Sequence, residues 1–274
     1  MRAWSGVFVA LAVGLILAVG AGSCSRLDRL SARIDAISSD RARVVVRDCL
    51  WEHGSHYQWA RHRSIRCEVE RTDHRPGGDV ASEEVWLLDI VGDRVRVEKP
   101  DLGRTVVFDG LFWRVFEAGK ETKDLEARAE AAGDARMVRE LVPMPFSLLR
   151  PGLGIEYLGS YAGPGEARAW DRLLVRYGRE SGSSDRDRAV VEIRQDTSRL
   201  EAVIIRWSEL PFVGRRYRVE LDDWRPEAGL LVSHRWRFFA VDETDKRIGP
   251  ARWTVRIKRL QWDVPMPART FWRP

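Results

Sequence analysis

Apolar and polar residues alternate with a period of two through most of the chain beyond residue 64, and turn-forming residues break the alternation roughly every ten positions. The pattern is densest from Val85 to Phe116, which reads as four short strands: Leu87–Val91, Arg94–Glu98, Arg104–Phe108 and Leu111–Phe116. Gly92-Asp93, Pro100–Gly103 and Asp109-Gly110 separate them. Asp-Gly between β-formers predicts a type I′ hairpin, because both central residues need φ > 0. Strand parity puts Phe112 and Trp113 on opposite faces, so Trp86, Phe108, Phe112, Trp113 and Phe116 cannot all point inward.

Alternation returns in the second half, over Ile155–Ser160, Ala169–Gly178, Ala189–Gln195, Leu200–Ser208, Arg215–Trp224, Gly229–Val241 and Ala251–Trp262. One face is apolar and the other rich in arginine, as in an antiparallel sheet with one side solvated. Ile65–Arg71 also reads as a strand, and Thr72–Asp79 as a Pro/Gly turn.

Three stretches depart from this pattern. Residues 26–39 carry Leu27, Leu30, Ile34 and Ile37 at helical spacing, and Lys123–Arg139 is rich in Ala, Glu and Arg. Arg41–Trp51 stays open between strand, by its Val44-Val45-Val46 run, and helix, by the spacing of Val46, Leu50 and Trp51. Leu141–Leu149 is almost wholly apolar and holds two prolines. That excludes a central strand and predicts a loop or short helical turn that must bury itself, with the concave side of the sheet as the place.

The first segment changes the compartment. A basic start, the uncharged run Val7–Val19 and the small residues Gly20–Ser23 have the layout of a secretory signal over residues 1–23. Ala21-Gly22-Ser23-Cys24 resembles a bacterial lipobox, which would make Cys24 the site of lipid attachment; ordinary signal cleavage is the alternative. Residues 24–40 then serve as a tether or short helix, and 41–274 as a single β domain. With Cys24 set aside, Cys49 and Cys67 form an even pair, and an oxidising compartment predicts a disulfide between them.

Charge and composition narrow the function. A net charge of +5 carried mostly by arginine, with acids interspersed, is a solvated sheet face and no nucleic-acid signature. No nucleophile elbow, phosphate loop or zinc-protease motif occurs, and Asp222-Asp223 would point to opposite faces of a strand; this predicts no enzyme and no cofactor. His53, His56 and His62 lie near Cys49 and Cys67, but their spacing matches no structural zinc pattern, so no metal is expected.

Twelve tryptophans stand out, and they suit either the core of a large barrel or the walls of an apolar cavity. In order and spacing, several segments resemble the bacterial lipoprotein-carrier superfamily with the LolA/LolB-like fold: Arg94–Glu98 followed by Val106–Gly110 and Trp113, Met144–Leu149, Asp196–Glu201, and Trp224–Pro226 with Gly229–Leu231 and Trp236. The resemblance implies a mainly β protein, an antiparallel, highly curved, incomplete β-barrel wrapping a helical lid. It also implies a non-enzymatic periplasmic or outer-membrane protein whose partner is a lipid or an acylated lipoprotein. Trp86, Phe108 and Trp113 would then wall the cavity, with Leu141, Met144, Phe146, Leu148, Leu149 and Phe212 as its lid or floor. A protein-binding envelope sensor on the same fold is the alternative, favoured if the interior is filled by the protein's own side chains.

Overall fold

The computed structural model describes residues 26–162, 169–178, 187–208, 212 and 214–272. The signal segment and Cys24 lie outside the described residues. The chain forms one antiparallel, curved and unclosed sheet of thirteen strands. Its first half holds β1 (Ser64–Asp73), β2 (Val80–Asp89), β3 (Arg94–Lys99), β4 (Arg104–Phe108), β5 (Trp113–Glu117) and β6 (Lys120–Glu121). The second half holds β7 (Leu153–Ala162), β8 (Ala169–Tyr177), β9 (Arg188–Arg194), β10 (Leu200–Arg206), β11 (Tyr217–Glu227), β12 (Leu230–Ala240) and β13 (Trp253–Trp262). The spatial order runs β6-β5-β4-β3-β2-β1-β13-β12-β11-β10-β9-β8-β7. Each half is a meander, and the β1–β13 pairing joins them.

This topology leaves β6 and β7, consecutive in sequence, at opposite edges of the sheet. The chain between them must span the open side. It does so as helix α4 (Leu125–Leu141) and a 3₁₀ turn, Phe146–Leu149. Asp124 caps α4, its carboxylate accepting from the Glu126 and Ala127 amides. Residues Ala131–Leu141 are buried all round, and Ala131, Ala132 and Ala135 let the helix approach the strands closely.

Helix α1 covers residues 26–35, α2 spans Asp40–Glu52 and α3 spans Ser55–Trp59. Arg41–Trp51 is therefore helical. Ala42, Val45, Val46, Cys49 and Leu50 make one buried stripe, and packing of that stripe overrides the β preference of three consecutive valines. Helix α2 lies over the β7–β10 side, where Arg41 pairs with Asp171 and Arg199 with Glu52. Gly54, at φ +100°, lets the α2–α3 corner touch the β11–β12 turn: a Cβ there would sit 2.3 Å from the Gly229 carbonyl oxygen.

The turns differ from expectation in a consistent way. Phe108 pairs with Trp113 and Asp89 with Arg94, so both connections are four-residue loops. In each, an aspartate side chain accepts from two backbone amides, Asp109 from Leu111 and Phe112, and Asp89 from Val91 and Gly92. Leu111 and Phe112 are thus exposed turn residues, not the start of a strand. Two-residue turns with both φ positive occur at Ala118-Gly119 and at Ala228-Gly229, and the second is the one that packs on a helix. The Gln58 amide holds the Ala228-Gly229 turn from α3 by donating to the Ala228 carbonyl at 2.9 Å.

The two faces divide as the alternation requires. Val95, Val97, Val106, Val115, Leu173, Val191, Val203, Val219, Trp236 and Val255 point into the core beneath the helices. The outer face carries ion pairs, such as Arg218 with Glu192 at 2.7 Å and Arg172 with Asp245 at 2.6 Å. A separate small cluster forms where Phe271 is buried against Val107 and Phe116 on the outer face. Arg94 stacks over Phe271 and Arg114 over Trp272.

Candidate functional site

The concave side is largely filled by the protein's own side chains. Trp86 is 1% exposed, packs on Trp236 at 5.6 Å and donates to Glu84 at 2.7 Å. Phe108 stacks on Trp113 at 4.2 Å, with the Arg139 guanidinium over the Phe108 ring. Trp113, not Phe112, is therefore the inward-packing residue of that pair. Phe212 meets Trp207, Tyr217 and Trp253 edge to face. Leu141, Met144 and Leu148 are buried among the core residues. Phe146 stacks on Trp59 at 4.9 Å, and Phe146 and Leu149 both reach an open pocket.

That pocket, about 260 Å³, lies between α1, α3, the β2–β3 turn and the segment after α4. Leu30, Trp59, Leu88, Phe146 and Leu149 make it apolar. Its rim is basic: Arg26, Arg29 and Arg33 come from α1, and Arg139 and Arg150 from the far side. Spacings of three and four residues put the α1 arginines on one helical face. Arg26 is held in place by donating to the Ala60 and His62 carbonyls. Burial, then the proximity of Arg29, lowers the Arg33 guanidinium below its ordinary pKa, and the same two causes lower Arg26. Asp93 is the one carboxylate in the lining, and Arg139 and Arg150 both bind it. Burial alone would raise that carboxyl, but the two guanidinium groups hold it below the usual range.

A buried charge cluster fixes α4 over the first half of the sheet. Asp134 on α4 accepts from Arg71 of β1 at 2.9 Å and from Lys99 of β3. Glu84 of β2 lies 3.7 Å from Lys99. Burial acts to raise the Asp134 carboxyl, and Lys99 and Arg71 outweigh it and keep the group low. Burial raises Glu84, and nearby Asp134 adds to the effect.

Cys49 and Cys67 are free, buried thiols, so the expected disulfide is not formed. Their positions explain this. Cys49 faces the Leu200 backbone of β10, whereas Cys67 sits on β1, and three strands separate β1 from β10 in the sheet. Neighbouring strands stand about 4.8 Å apart, far beyond bridging reach over that span. Burial pushes both thiols up, Cys67 to about 12. Among the described residues no group of three or more His, Cys, Asp or Glu side chains converges as metal ligands do. The histidines have separate roles. His62 pairs with Asp263 at 2.8 Å, His56 lies 3.2 Å from Ser31, and His53 is buried against Trp224 with Nδ1 2.8 Å from the Cys49 carbonyl.

His53 gives a pH prediction. Burial lowers it from 6.5 to about 4. Above the unfolded value both states are neutral and nothing is lost. As the pH falls toward 4, the unfolded chain takes a proton that the folded chain resists, costing roughly 3 kcal/mol in full. Urea unfolding at pH 7, 5 and 4 is expected to show this loss, and His53→Gln is expected to flatten that part of the profile. An unchanged slope in the variant would assign the acid sensitivity elsewhere.

Sequence reasoning missed most of the pocket's rim. Its signal was present in Arg26, Arg29 and Arg33 beside Leu30 and Ile34, a basic stripe next to an apolar one. Ser147 and Asp93 carried no such signal, because only the folding of distant segments brings them there.

No protein-family model matches the chain, and no curated protein matches it in sequence. Its fold is similar to that of a LolA superfamily protein from Nitrosomonas europaea, with a TM-score of 0.57 at 11% identity, covering 84% of this chain and 96% of that one. It is also similar to a DUF1329 family protein from Desulfovibrio piger, with a TM-score of 0.54 at 11% identity, covering 85% and 98%. The likeness is one of fold: the sheet and its crossing helices are LolA-like.

Proposed function

We propose, from this LolA-like fold, that the chain is an exported, non-enzymatic protein that binds an acyl chain of a lipid or lipoprotein. The observation that carries the reading is the open apolar pocket between α1, α3, the β2–β3 turn and the Phe146–Leu149 turn. Its volume is somewhat below the about 300–1,000 Å³ common for ligand sites, which suits one chain segment. Each buried methylene contributes about 0.8 kcal/mol, so a short segment is enough to hold an amphiphile without chemistry. Among the described residues no helix is long and apolar enough to cross a membrane. A lipid on Cys24 would tether the domain to a membrane, close to where α1 begins.

Native mass spectrometry after gentle purification is the test, with uptake of a fluorescent fatty acid beside it. A co-purified lipid and saturable uptake are expected. Leu30→Trp, at the half-buried mouth of the pocket, is expected to weaken uptake about tenfold, a change of ~1.4 kcal/mol, with little change in melting temperature. No lipid and no uptake would sink the reading. They would favour a protein-binding envelope sensor, which the filled concave interior also suits.

A further inference from the structure

We propose that this pocket takes a single-chain amphiphile with a phosphate headgroup, the acyl chain in the apolar floor and the phosphate on the α1 arginine stripe. The inference deepens the acyl-binding reading and rests on it.

One cation at the rim is left without a protein partner. Among the described residues Arg33 has no hydrogen-bond or ion-pair partner, although it lines the pocket and is half-buried. Arg26 is already positioned by two carbonyls, with Arg29 between the two. The single carboxylate in the lining, Asp93, is bound by Arg139 and Arg150 and faces them. Like charges gathered at the mouth of an apolar pocket are unfavourable unless an anion sits among them. Guanidinium groups on one helical face match the several oxygens of a phosphate better than the two of a carboxylate.

A second feature is a buried hydroxyl. Ser147 lines the same pocket and is 2% exposed, and its hydroxyl has no hydrogen-bond partner. A buried hydroxyl without a partner is costly, and a carbonyl oxygen placed there would accept from it. An acyl ester supplies such a carbonyl between chain and headgroup. Apolar side chains, a lone hydroxyl and arginines in one pocket are the partners that the chain, the ester carbonyl and the phosphate of a monoacyl glycerophosphate need.

Binding of 1-acyl lysophosphatidic acid is read from its displacement of a fluorescent fatty acid. The comparison ligands are the phosphocholine analogue and the neutral monoacylglycerol of the same chain, all below their micelle concentrations. The phosphate monoester is expected to bind about tenfold tighter than the monoacylglycerol, with the advantage shrinking at high salt. Arg33→Gln should remove most of that advantage, lowering affinity for the phosphate monoester far more than for the monoacylglycerol, and Arg33→Lys should restore part of it. Equal affinity for every headgroup would overturn this proposal and leave acyl binding standing. Binding of none would overturn both. A full phosphate preference retained in Arg33→Gln would overturn the assignment to the α1 stripe.

Discussion

Asp134→Ala is expected to lower the unfolding free energy by about 3–5 kcal/mol, because it leaves buried cations without their anion. Asp134 is 5% exposed and is the acceptor that both Arg71 and Lys99 share. Without it, Glu84 is the remaining carboxylate near Lys99, at 3.7 Å. Helix α4 loses its polar anchor to β1 and β3 together, so the damage has a location. Hydrogen exchange should rise first along Leu125–Leu141. The paired replacement Asp134→Leu with Lys99→Met tests the cause, since removing both partners of a buried pair is often neutral or stabilising. If the double variant is as unstable as Asp134→Ala, shape and not charge holds the helix.

Trp59→Ala is expected to cost about 3–5 kcal/mol by the cavity it leaves. Trp59 is 5% exposed, stacks flat on Phe146 and meets Trp262 edge on at 6.2 Å. It also forms part of the pocket floor, so the new void joins the pocket rather than closing over. That makes the variant informative about function. A ligand that binds only the folded state restores stability as RT ln(1 + [L]/Kd), so an added amphiphile should recover part of the lost melting temperature. Trp59→Phe keeps an aromatic face on Phe146 and should lose much less. An unfolding midpoint for Trp59→Ala within error of the parent would show that the stack carries no weight.

Both residues show how far the pattern of the chain could be read in advance. Asp134 lies in a segment whose Ala, Glu and Arg content predicts a helix, and the helix is there, shifted two residues toward the C-terminus. Its partners sit 63 and 35 residues away in sequence, and no local signal connects them. Leu141–Leu149 announced its burial by composition, whereas parity said only that Phe112 and Trp113 face opposite ways. Which of these residues reach open space depends on how α2, α3 and α4 share the concave face. Phe146 and Leu149 reach the pocket, while the others pack against one another. The Cys49–Cys67 pairing failed for a related reason. Counting thiols says nothing about distance, and α2 docks on β10 rather than beside β1.

Taken alone, the sequence determined the period-two strands, the sites of most turns, the helix spanning the two sheet edges and the split between an apolar inner and an arginine-rich outer face. These follow from short-range chemistry: alternation sets the face of every strand residue, and Gly, Asp and Pro restrict the backbone locally. Only the tertiary structure decided that Val44-Val45-Val46 is helical, that Trp113 and not Phe112 packs inward, and that the α1 arginines meet Ser147 and Phe146 around one pocket. Those outcomes depend on contacts between segments far apart in the chain, where burial outweighs a local preference worth less than a kilocalorie per residue.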